Sequence, residues 1–266
     1  MATDDEIVHR RVLNSVALMI PELALDVTPP EIAQQLYRIV YEITGNIDPY
    51  SNAKKRADDL AMSFYPRMKD MVEYSCGPLQ TASKLAIAGN AIDLGAQAEY
   101  GDMNTIIEES SSCALNLDEY KLFKQSITDA SLILYIGDNA GEIVFDRILI
   151  EQIKRINSNQ IVYVVREKPI INDATISDAV RVGLDKVAKV ISSGSDAPAT
   201  ILSQCSPELK HIYDAADVII AKGQGNYESL CNSPENIFFF FIVKCPVIAR
   251  DSGYEIGSMA LIGNSS

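Results

Sequence analysis

The sequence predicts an α/β fold: a three-layer α/β/α domain with a mostly parallel sheet, preceded by a helical N-terminal domain. Helical periodicity dominates the first 120 or so residues, whereas short apolar and β-branched runs appear from about residue 130 onward. These runs hardly alternate with polar residues, as is typical of parallel strands that helices cover on both faces. We therefore predict a helical domain at residues 1–120 and an α/β domain at residues 121–266.

The N-terminal part contains four helix patterns. The clearest begins at Thr28, which can cap the helix while Glu31 completes a capping box, and it ends at Gly45. Between these residues, apolar side chains recur at helical spacing. Three further helices are expected over about 51–64, 66–75 and 78–88. The polar residues 101–119 are predicted to form an irregular connector to the second part.

Apolar runs in the second part alternate with helix-like segments, which is the pattern of a doubly wound parallel sheet. Strands are expected at 132–136, 161–165, 189–191, 218–221, 237–243 and 247–249. The intervening helices are expected over about 140–157, 175–182, 197–205 and 226–231. Such sheets bind ligands beyond the carboxyl ends of their strands, so the polar residues that follow a strand are the candidates for function.

The composition excludes several classes of partner. The net charge is -13 and the pI about 4.6, so nucleic acids and anionic lipid surfaces are poor partners. No apolar stretch is long enough for a membrane span, and the charged N-terminus lacks the apolar core of a signal peptide. The five cysteines are scattered, which favours reduced thiols over a disulfide framework or a zinc cluster. We expect a cytoplasmic protein, and the sequence leaves its oligomeric state open.

The first polar segment, residues 137–142, follows the expected strand 132–136 and opens a helix. Asp138 and Asn139 offer the hard oxygen ligands that Mg²⁺ and Mn²⁺ prefer. The helix N-terminus behind them favours an anion. Taken alone, the pair is explained more simply as a helix cap, because Asp and Asn are common before helices.

Two more segments follow the next strands. Residues 168–175 include Asp173, which could simply cap the helix that follows. Residues 192–196 are small and polar, and they could hold a phosphate through backbone N–H groups or form an ordinary loop. Neither segment is strong evidence by itself.

A last segment, residues 222–228, combines two glycines with Lys222, which supplies charge or simply faces solvent at the end of its strand. It is neither a P-loop nor a complete dinucleotide fingerprint. Lys244 follows the apolar run 237–243 in the same way. Consecutive strands that each end in such groups predict an anion site with an oxygen-ligated metal.

Other chemistries are less consistent with the sequence. His9 and His211 are the two histidines and neither has a motif partner, so a serine triad or a histidine-ligated zinc site is not expected. No Gly-x-Ser-x-Gly elbow occurs. No Asp-x-Asp follows a strand, which counts against an aspartyl-phosphate phosphatase of the haloacid dehalogenase kind.

These motifs, in this order, resemble those of the damage-control phosphatases, formerly called domain of unknown function 89, and in particular their prokaryotic branch. The residues that carry the resemblance are 48–50, 86–93, 137–142, 172–173, 222–228 and 244–245. The resemblance therefore spans nearly the whole chain. One departure is that the Cys-x-x-Cys pair usual near the start of prokaryotic members does not occur in this sequence.

The resemblance implies a metal-dependent phosphatase that hydrolyses small phosphorylated metabolites such as sugar phosphates, with Mg²⁺, Mn²⁺, Co²⁺ or Ni²⁺ as its metal. It implies that Asp138, Asn139 and Asp173 are the metal ligands. It also implies roles at the phosphate for a second set of residues, namely Gln224, Gly225, Asn226 and Lys244, with Glu142 close to the substrate. Asp138, Asp173 and Lys244 would be the catalytic residues, with either metal-bound water or Asp138 as the nucleophile.

Two competing hypotheses come from other classes of protein. A non-catalytic nucleotide- or cofactor-binding module would use the same helix N-termini and glycines. A Rossmann-like methyltransferase would use the glycines of 137–142 around a methyl donor. The carboxylates Asp138 and Asp173 discriminate between these hypotheses, because a metal-binding pair is needed only by the phosphatase.

Overall fold

The computed structural model describes residues 2–91, 100–112, 115–158 and 160–264. The helices are α1 Glu6–Met19, α2 Pro29–Thr44, α3 Ser51–Glu73, α4 Pro78–Ala88, α5 Tyr100–Ser112, α6 Leu117–Asp129, α7 Glu142–Ile156, α8 Ile176–Arg181, α9 Pro207–Ala215, α10 Gln224–Leu230 and α11 Pro246–Ser252. The strands are β1 Leu132–Ile136, β2 Gln160–Val165, β3 Lys189–Ser192, β4 Val218–Lys222, β5 Ile237–Ile242 and β6 Met259–Gly263.

All six strands belong to one sheet with the order β3-β2-β1-β4-β5-β6. The first five strands in this order pair in parallel, and β6 is antiparallel to β5. This confirms the predicted α/β fold with a mostly parallel sheet. The chain passes from β1 towards one edge and then returns to place β4 on the other side of β1. The loops after β1 and β4 therefore diverge, which creates the crevice where open α/β sheets bind ligands.

Helices cover both faces of the sheet, which explains why its strands are apolar on both sides. On one face, helices α3 to α7 share a single core with the sheet, in which Met68 of α3 and Phe240 of β5 are fully buried. On the other face, the core includes Leu209 of α9 and Ile248 of α11. The predicted boundary at residue 120 falls inside α6, and the division into two domains stays a prediction. No helix in the described ranges is both long and apolar enough to span a membrane.

The helical part follows the sequence prediction with three differences, one of which is helix α1, which was not predicted. At α2, the backbone N–H of Thr28 donates to Glu31 Oε2 over 2.9 Å, so the capping box is present. Residues 51–73 form one helix that continues through Pro66, because buried side chains on both sides hold it against the core. The irregular connector expected over 101–119 is wrong, since α5 and the start of α6 occupy most of that stretch.

The predictions for the second part are least accurate near the C-terminus. The strand expected at 247–249 is wrong: these residues lie in α11, which has Pro246 in its first turn and ends at Gly253 in the left-handed conformation. The sixth strand is instead β6, which was not predicted. The helix expected over 197–205 is reduced to a single 3-10 turn at Leu202–Gln204.

Candidate active site

The polar loops after β1 and β4 meet in the crevice between these strands. Gly223 and the side chain of Asp138 approach each other closely there. A Cβ atom on Gly223 would lie 1.9 Å from Asp138 Oδ2, and the φ angle of Gly223 is +80°. Only glycine satisfies both conditions. The two segments that sequence patterns selected separately are therefore parts of one site.

One oxygen of Asp138 is fixed by amide groups. Asp138 Oδ2 accepts hydrogen bonds from Asn90 Nδ2 at 3.1 Å and from Asn139 Nδ2 at 2.9 Å. Asn90 itself is held because its Oδ1 accepts from the backbone N–H of Ile242 at 3.3 Å. Asp138 Oδ1 accepts no hydrogen bond from the described residues, and the side chain is partly exposed. Asp138 therefore presents one fixed, unpaired oxygen to the crevice.

The amide of Asn139 is oriented in a similar way. Its Nδ2 donates to Asp138 Oδ2 and, at 3.2 Å, to Glu142 Oε2. This leaves Asn139 Oδ1 without a partner among the described residues. Neither Asp138 nor Asn139 caps α7, whose N-cap is Gly141 without a side-chain hydrogen bond. The helix-cap explanation of this pair is therefore wrong.

Backbone pairing brings Asp173 to the same place. Asn139 and Asp173 form an isolated antiparallel bridge, and the N–H of Ala174 donates to the carbonyl of Asp138 at 2.8 Å. Asp173 does not cap α8, because Thr175 does so with a complete capping box. Asp173 Oδ2 instead accepts from Arg166 Nε at 2.8 Å. Asp173 Oδ1 has no hydrogen-bond partner among the described residues.

Arg166 is the buried counter-charge of Asp173. Its side chain is 1% exposed, and its Nη2 has no hydrogen-bond partner in the described part of the chain. Burial raises the pKa of the Asp173 carboxyl, and the charge of Arg166 opposes this rise. The pKa of Asp138 is raised well above its usual range by burial and by the neighbouring charges of Glu142 and Asp173. Negative charge is therefore in excess around these carboxylates.

A fully buried group of charges lies beneath the ligand set. Lys222 Nζ donates to Glu142 Oε1 at 2.7 Å, to Asp146 Oδ1 at 2.5 Å and to the carbonyl of Ala86 at 2.7 Å. All three charged side chains are 0% exposed. Of the two roles considered for Lys222, simple exposure to solvent is therefore wrong, because Glu142 and Asp146 compensate its charge inside the core.

Glu142 and Asp146 have different neighbours. Glu142 Oε2 accepts from Asn90 Nδ2 at 3.0 Å and from Asn139 Nδ2, both of which also contact Asp138. Asp146 instead accepts from the hydroxyls of Tyr135 and Tyr163 at 2.8 and 2.7 Å, deep in the core. Glu142 is thus one contact away from the candidate ligands, whereas Asp146 belongs to the interior.

The charges of this network do not cancel. Its acids are Asp138, Glu142, Asp146 and Asp173, and its bases are Arg166 and Lys222. Four negative and two positive groups leave a formal charge of about -2. A typical metal site brings together at least three His, Cys, Asp or Glu side chains. No such group occurs in the described ranges. An oxygen site here depends on the amide of Asn139 as its third member.

The residues predicted for the phosphate lie on the other side of the crevice. Lys244 is exposed, and its ammonium lowers the pKa of Asp138, which places its charge near the site. Its backbone N–H donates to Gln224 Oε1 at 2.9 Å. Asn226 is buried, with its Oδ1 accepting from Thr200 N at 2.9 Å and its Nδ2 donating to Lys222 O at 2.7 Å. The side chains of Gln224 and Asn226 are thus engaged within the protein, while Lys244 remains available.

The loop 192–196 is an ordinary loop. The hydroxyls of Ser192, Ser193 and Ser195 accept hydrogen bonds from backbone N–H groups of the same segment and of Ala197, at 3.0 to 3.2 Å. These amides are therefore not available to a phosphate. Asp196 at the end of the loop forms a two-point ion pair with Arg38 of α2.

Helix α2 and the turn after it bring a group of tyrosines to the site. The ring centroids of Tyr37 and Tyr41 are 6.1 Å apart, and those of Tyr37 and Tyr50 are 6.4 Å apart. All three rings are partly exposed. The pKa values of Tyr37 and Tyr41 are raised mainly by burial, with a further rise from the charge of Asp173. Tyr37 and Tyr41 therefore lie near the ligand set.

Sequence reasoning missed three residues of this network. Asn90 lies in the motif 86–93, but it was assigned no function from the sequence. Residues 92 and 93 of that motif lie outside the described residues. Asp146 follows Glu142 by one helical turn, so helix periodicity alone places both on one face. Arg166 is the first residue after β2. Polar residues at the corresponding place after other strands were selected as candidates, so the same rule would have found Arg166.

Comparison with known proteins gives one consistent family. The sequence profile of the damage-control phosphatase ARMT1-like domain matches residues 1–260. A damage-control phosphatase of Pyrococcus horikoshii is 35% identical over 99% of this chain and 92% of its own length. A damage-control phosphatase of Archaeoglobus fulgidus is 34% identical over 97% and 91%. An uncharacterized protein of Methanocaldococcus jannaschii is 36% identical over 98% and 88%.

The fold agrees with this result. The crystal structure of a DUF89 family protein from Pyrococcus horikoshii superposes with a TM-score of 0.89 and 34% identity, over 99% of this chain and 92% of that one. The similarity thus covers the helices as well as the sheet.

Proposed function

The chain belongs to the damage-control phosphatase family, and from this premise we propose that it is a metal-dependent phosphatase of small phosphorylated metabolites such as sugar phosphates. Membership of the family implies phosphatase activity. The metal, the phosphomonoester chemistry and the sugar phosphate substrates are the additional content of the proposal.

One observation carries the metal site. In each of the predicted ligands, Asp138, Asn139 and Asp173, one polar atom is fixed by the protein while Oδ1 is left without a partner among the described residues. The carboxylates of Asp138 and Asp173, with Glu142 one contact behind them, supply the negative charge that favours a divalent cation. Oxygen ligands suit Mg²⁺, Mn²⁺, Co²⁺ or Ni²⁺ without choosing among them. The residues thus fit the metal that the family implies.

The bound metal would neutralise a phosphate oxygen and polarise the phosphorus. Lys244 would bind a second phosphate oxygen, because its ammonium is exposed beside Asp138 in an otherwise acidic crevice. Backbone N–H groups of Gly225 and Asn226, in the first turn of α10, would supply further donors. The nucleophile stays open between water and the unpaired oxygen of Asp138.

The group of tyrosines is the reason for proposing a sugar as the organic part of the substrate. Tyr37 and Tyr41 present partly exposed rings near Asp173, and the ring of Tyr50 packs against that of Tyr37. Such rings offer apolar faces and hydroxyls, which suit the C–H and O–H surfaces of a sugar. They would contact the part of the substrate that is not transferred.

The competing hypotheses are less consistent with the geometry. The strand order is that of dinucleotide-binding folds. However, the loop after β1 directs Asp138 into the crevice. The first residue of this loop, Gly137, is packed so tightly that a Cβ atom on it would lie 2.3 Å from the hydroxyl of Tyr163. A pyrophosphate placed there would approach a carboxylate without a cation between them. A nucleotide module or a methyltransferase has no use for that arrangement.

The proposal is tested by measuring phosphate release from a panel of sugar phosphates and from p-nitrophenyl phosphate, with each divalent metal and with a chelator. We expect hydrolysis that requires the metal, and a higher kcat/KM for at least one sugar phosphate than for the aryl ester. Full activity in chelator would contradict the metal role. Hydrolysis of the aryl ester alone would contradict the sugar phosphate assignment and leave the metal role standing.

A further inference from the structure

Two residues outside the predicted ligand set control its geometry. We propose that Lys222, acting through Glu142, is a positioning residue that holds the amide of Asn139 with its Oδ1 towards the metal. The inference rests on the proposed metal site. It assigns to Glu142 a task different from substrate contact, because its side chain is 0% exposed and has no access to the crevice.

The side-chain amide of Asn139 could adopt either of two orientations. The two ends of an asparagine side chain have nearly the same shape, but only the oxygen ligates a cation. Asn139 must therefore be prevented from turning its NH₂ group outward. Its Nδ2 meets two acceptors, Asp138 Oδ2 at 2.9 Å and Glu142 Oε2 at 3.2 Å. Reversing the amide would place its oxygen against two carboxylate oxygens, so the orientation is fixed.

Glu142 can do this only while its Oε2 faces the two amides. The ammonium of Lys222 donates to Oε1 at 2.7 Å and holds the carboxylate in that orientation, so Oε2 is left to accept from Asn90 and Asn139. Asn90 is held by the same oxygen, and it in turn holds Asp138. The order of contacts from the interior to the crevice is therefore Lys222, Glu142, the two amides and Asp138.

Asp146 provides a matched control because it contacts the same ammonium. It accepts from Lys222 at 2.5 Å, but its other partners are the buried hydroxyls of Tyr135 and Tyr163. Asp146 has no contact with the amides. If Lys222 served stability alone, its two acids would be equivalent; positioning predicts that only Glu142 affects the metal.

The test compares Glu142→Gln and Asp146→Asn with the parent by titrating Mn²⁺, with free ion followed by electron paramagnetic resonance and unfolding by urea. A glutamine keeps an acceptor for Lys222 but turns an NH₂ group towards Asn90 and Asn139. One of these amides must then reverse. We expect Glu142→Gln to weaken Mn²⁺ binding by about 10–100-fold. Asp146→Asn should lower the urea midpoint but change the affinity by much less than about tenfold.

Lys222→Met is a second variant, expected to weaken Mn²⁺ binding as Glu142→Gln does. Glu142→Gln carries the test if Lys222→Met does not fold, because it preserves the volume of the side chain. Unchanged Mn²⁺ affinity in Glu142→Gln, or an equal loss of affinity in Asp146→Asn, would overturn this inference but leave the proposed metal site standing. Failure of the parent protein to bind Mn²⁺ overturns the metal site and the inference together.

Discussion

Among the residues that the structure describes, two buried lysines are each held between two carboxylates, and their surroundings differ. Lys222 lies under the crevice between Glu142 and Asp146, at 2.7 and 2.5 Å. Lys54 of α3 lies between Asp48 and Asp178, at 3.1 and 3.2 Å. The same pairing of one base with two acids thus occurs at the site and at the contact between α3 and α8.

The difference lies in how completely each group is satisfied. Around Lys222, every buried polar atom of the three side chains has a partner. Around Lys54, Asp48 Oδ1 has no hydrogen-bond partner in the described part of the chain. Oδ2 of the nearby Asp58 has none either, although it forms an ion pair with Arg181 Nε at 3.6 Å. Incompletely paired buried acids are costly. The comparison indicates that the Lys222 group orders the site, whereas the Lys54 group joins helices with a less completely hydrogen-bonded set of acids.

The largest effect should follow from Lys222→Met. This change leaves two buried carboxylates without their base, and breaking a buried pair typically costs about 3–5 kcal/mol. We expect both the free energy of unfolding and the affinity for Mn²⁺ to fall. Urea denaturation with metal titration on the same preparation measures both. A loss of stability with parental Mn²⁺ affinity would remove the distinction between the two lysines.

Lys54→Met should separate the two properties. Lys54 also lies between two acids, so we expect a loss of stability towards the lower end of about 3–5 kcal/mol. The charge of Lys54 acts on Asp173, but its acids form no hydrogen bond to the candidate ligands, and Asp178 instead caps α8 through Thr175. Mn²⁺ affinity should therefore change by less than about tenfold. A larger loss would show that the contact between α3 and α8 also sets the geometry of the site.

Lys244→Ala should affect catalysis without affecting folding. The side chain is exposed, and removing one donor to the transferred phosphate typically costs about 2.7–4 kcal/mol of transition-state stabilisation. We expect kcat/KM to fall by about two to three orders of magnitude with an unchanged circular dichroism spectrum. Lys189→Ala, at the opposite end of the sheet, is the control. Parental turnover by Lys244→Ala would remove Lys244 from the phosphate site.

The smallest effect should be a pH dependence due to Asp58. Burial raises the pKa of this carboxyl to about 7, against the opposing hydrogen bond from Gly141 N. Between the unfolded and folded pKa values, the folded chain binds a proton that the unfolded chain does not. Stability therefore decreases as pH rises from about 4 to about 7 and is constant above that.

Asp58→Asn should reduce the difference in unfolding free energy between pH 5 and pH 8, by about 2–3 kcal/mol. Glu73→Gln, an exposed acid of the same helix, is the control. The same pH difference in Asp58→Asn as in the parent protein would show that the carboxyl is not the titrating group.

The parts of the fold that follow from local signals could be predicted. Strands β1 to β5 were located to within one residue because five buried apolar runs have no other explanation in an α/β chain. The run at 247–249 gives the same local signal, yet Pro246 and Gly253 frame it as a helix. Pro66 gives a local signal to end a helix, and tertiary packing overrides it.

The site divides in the same way. Residues that follow strands, such as Asp138 and Asp173, could be selected from the sequence because the fold fixes where strand ends meet. Asn90 could not be assigned a role, because its contacts come from a segment 48 residues away in sequence. The burial of Lys222 could not be anticipated either, since its compensation depends on acids of α7 placed by the packing of that helix on the sheet.

The central claim is that three unpaired oxygens, Oδ1 of Asp138, Asn139 and Asp173, bind one divalent metal. Anomalous diffraction from crystals grown with Mn²⁺ tests this most directly. We predict a single strong anomalous peak within about 2.0–2.6 Å of all three Oδ1 atoms. This peak should be absent from crystals of Asp173→Asn. A peak that lacks any of the three as a ligand, or no peak in the crevice, would contradict it.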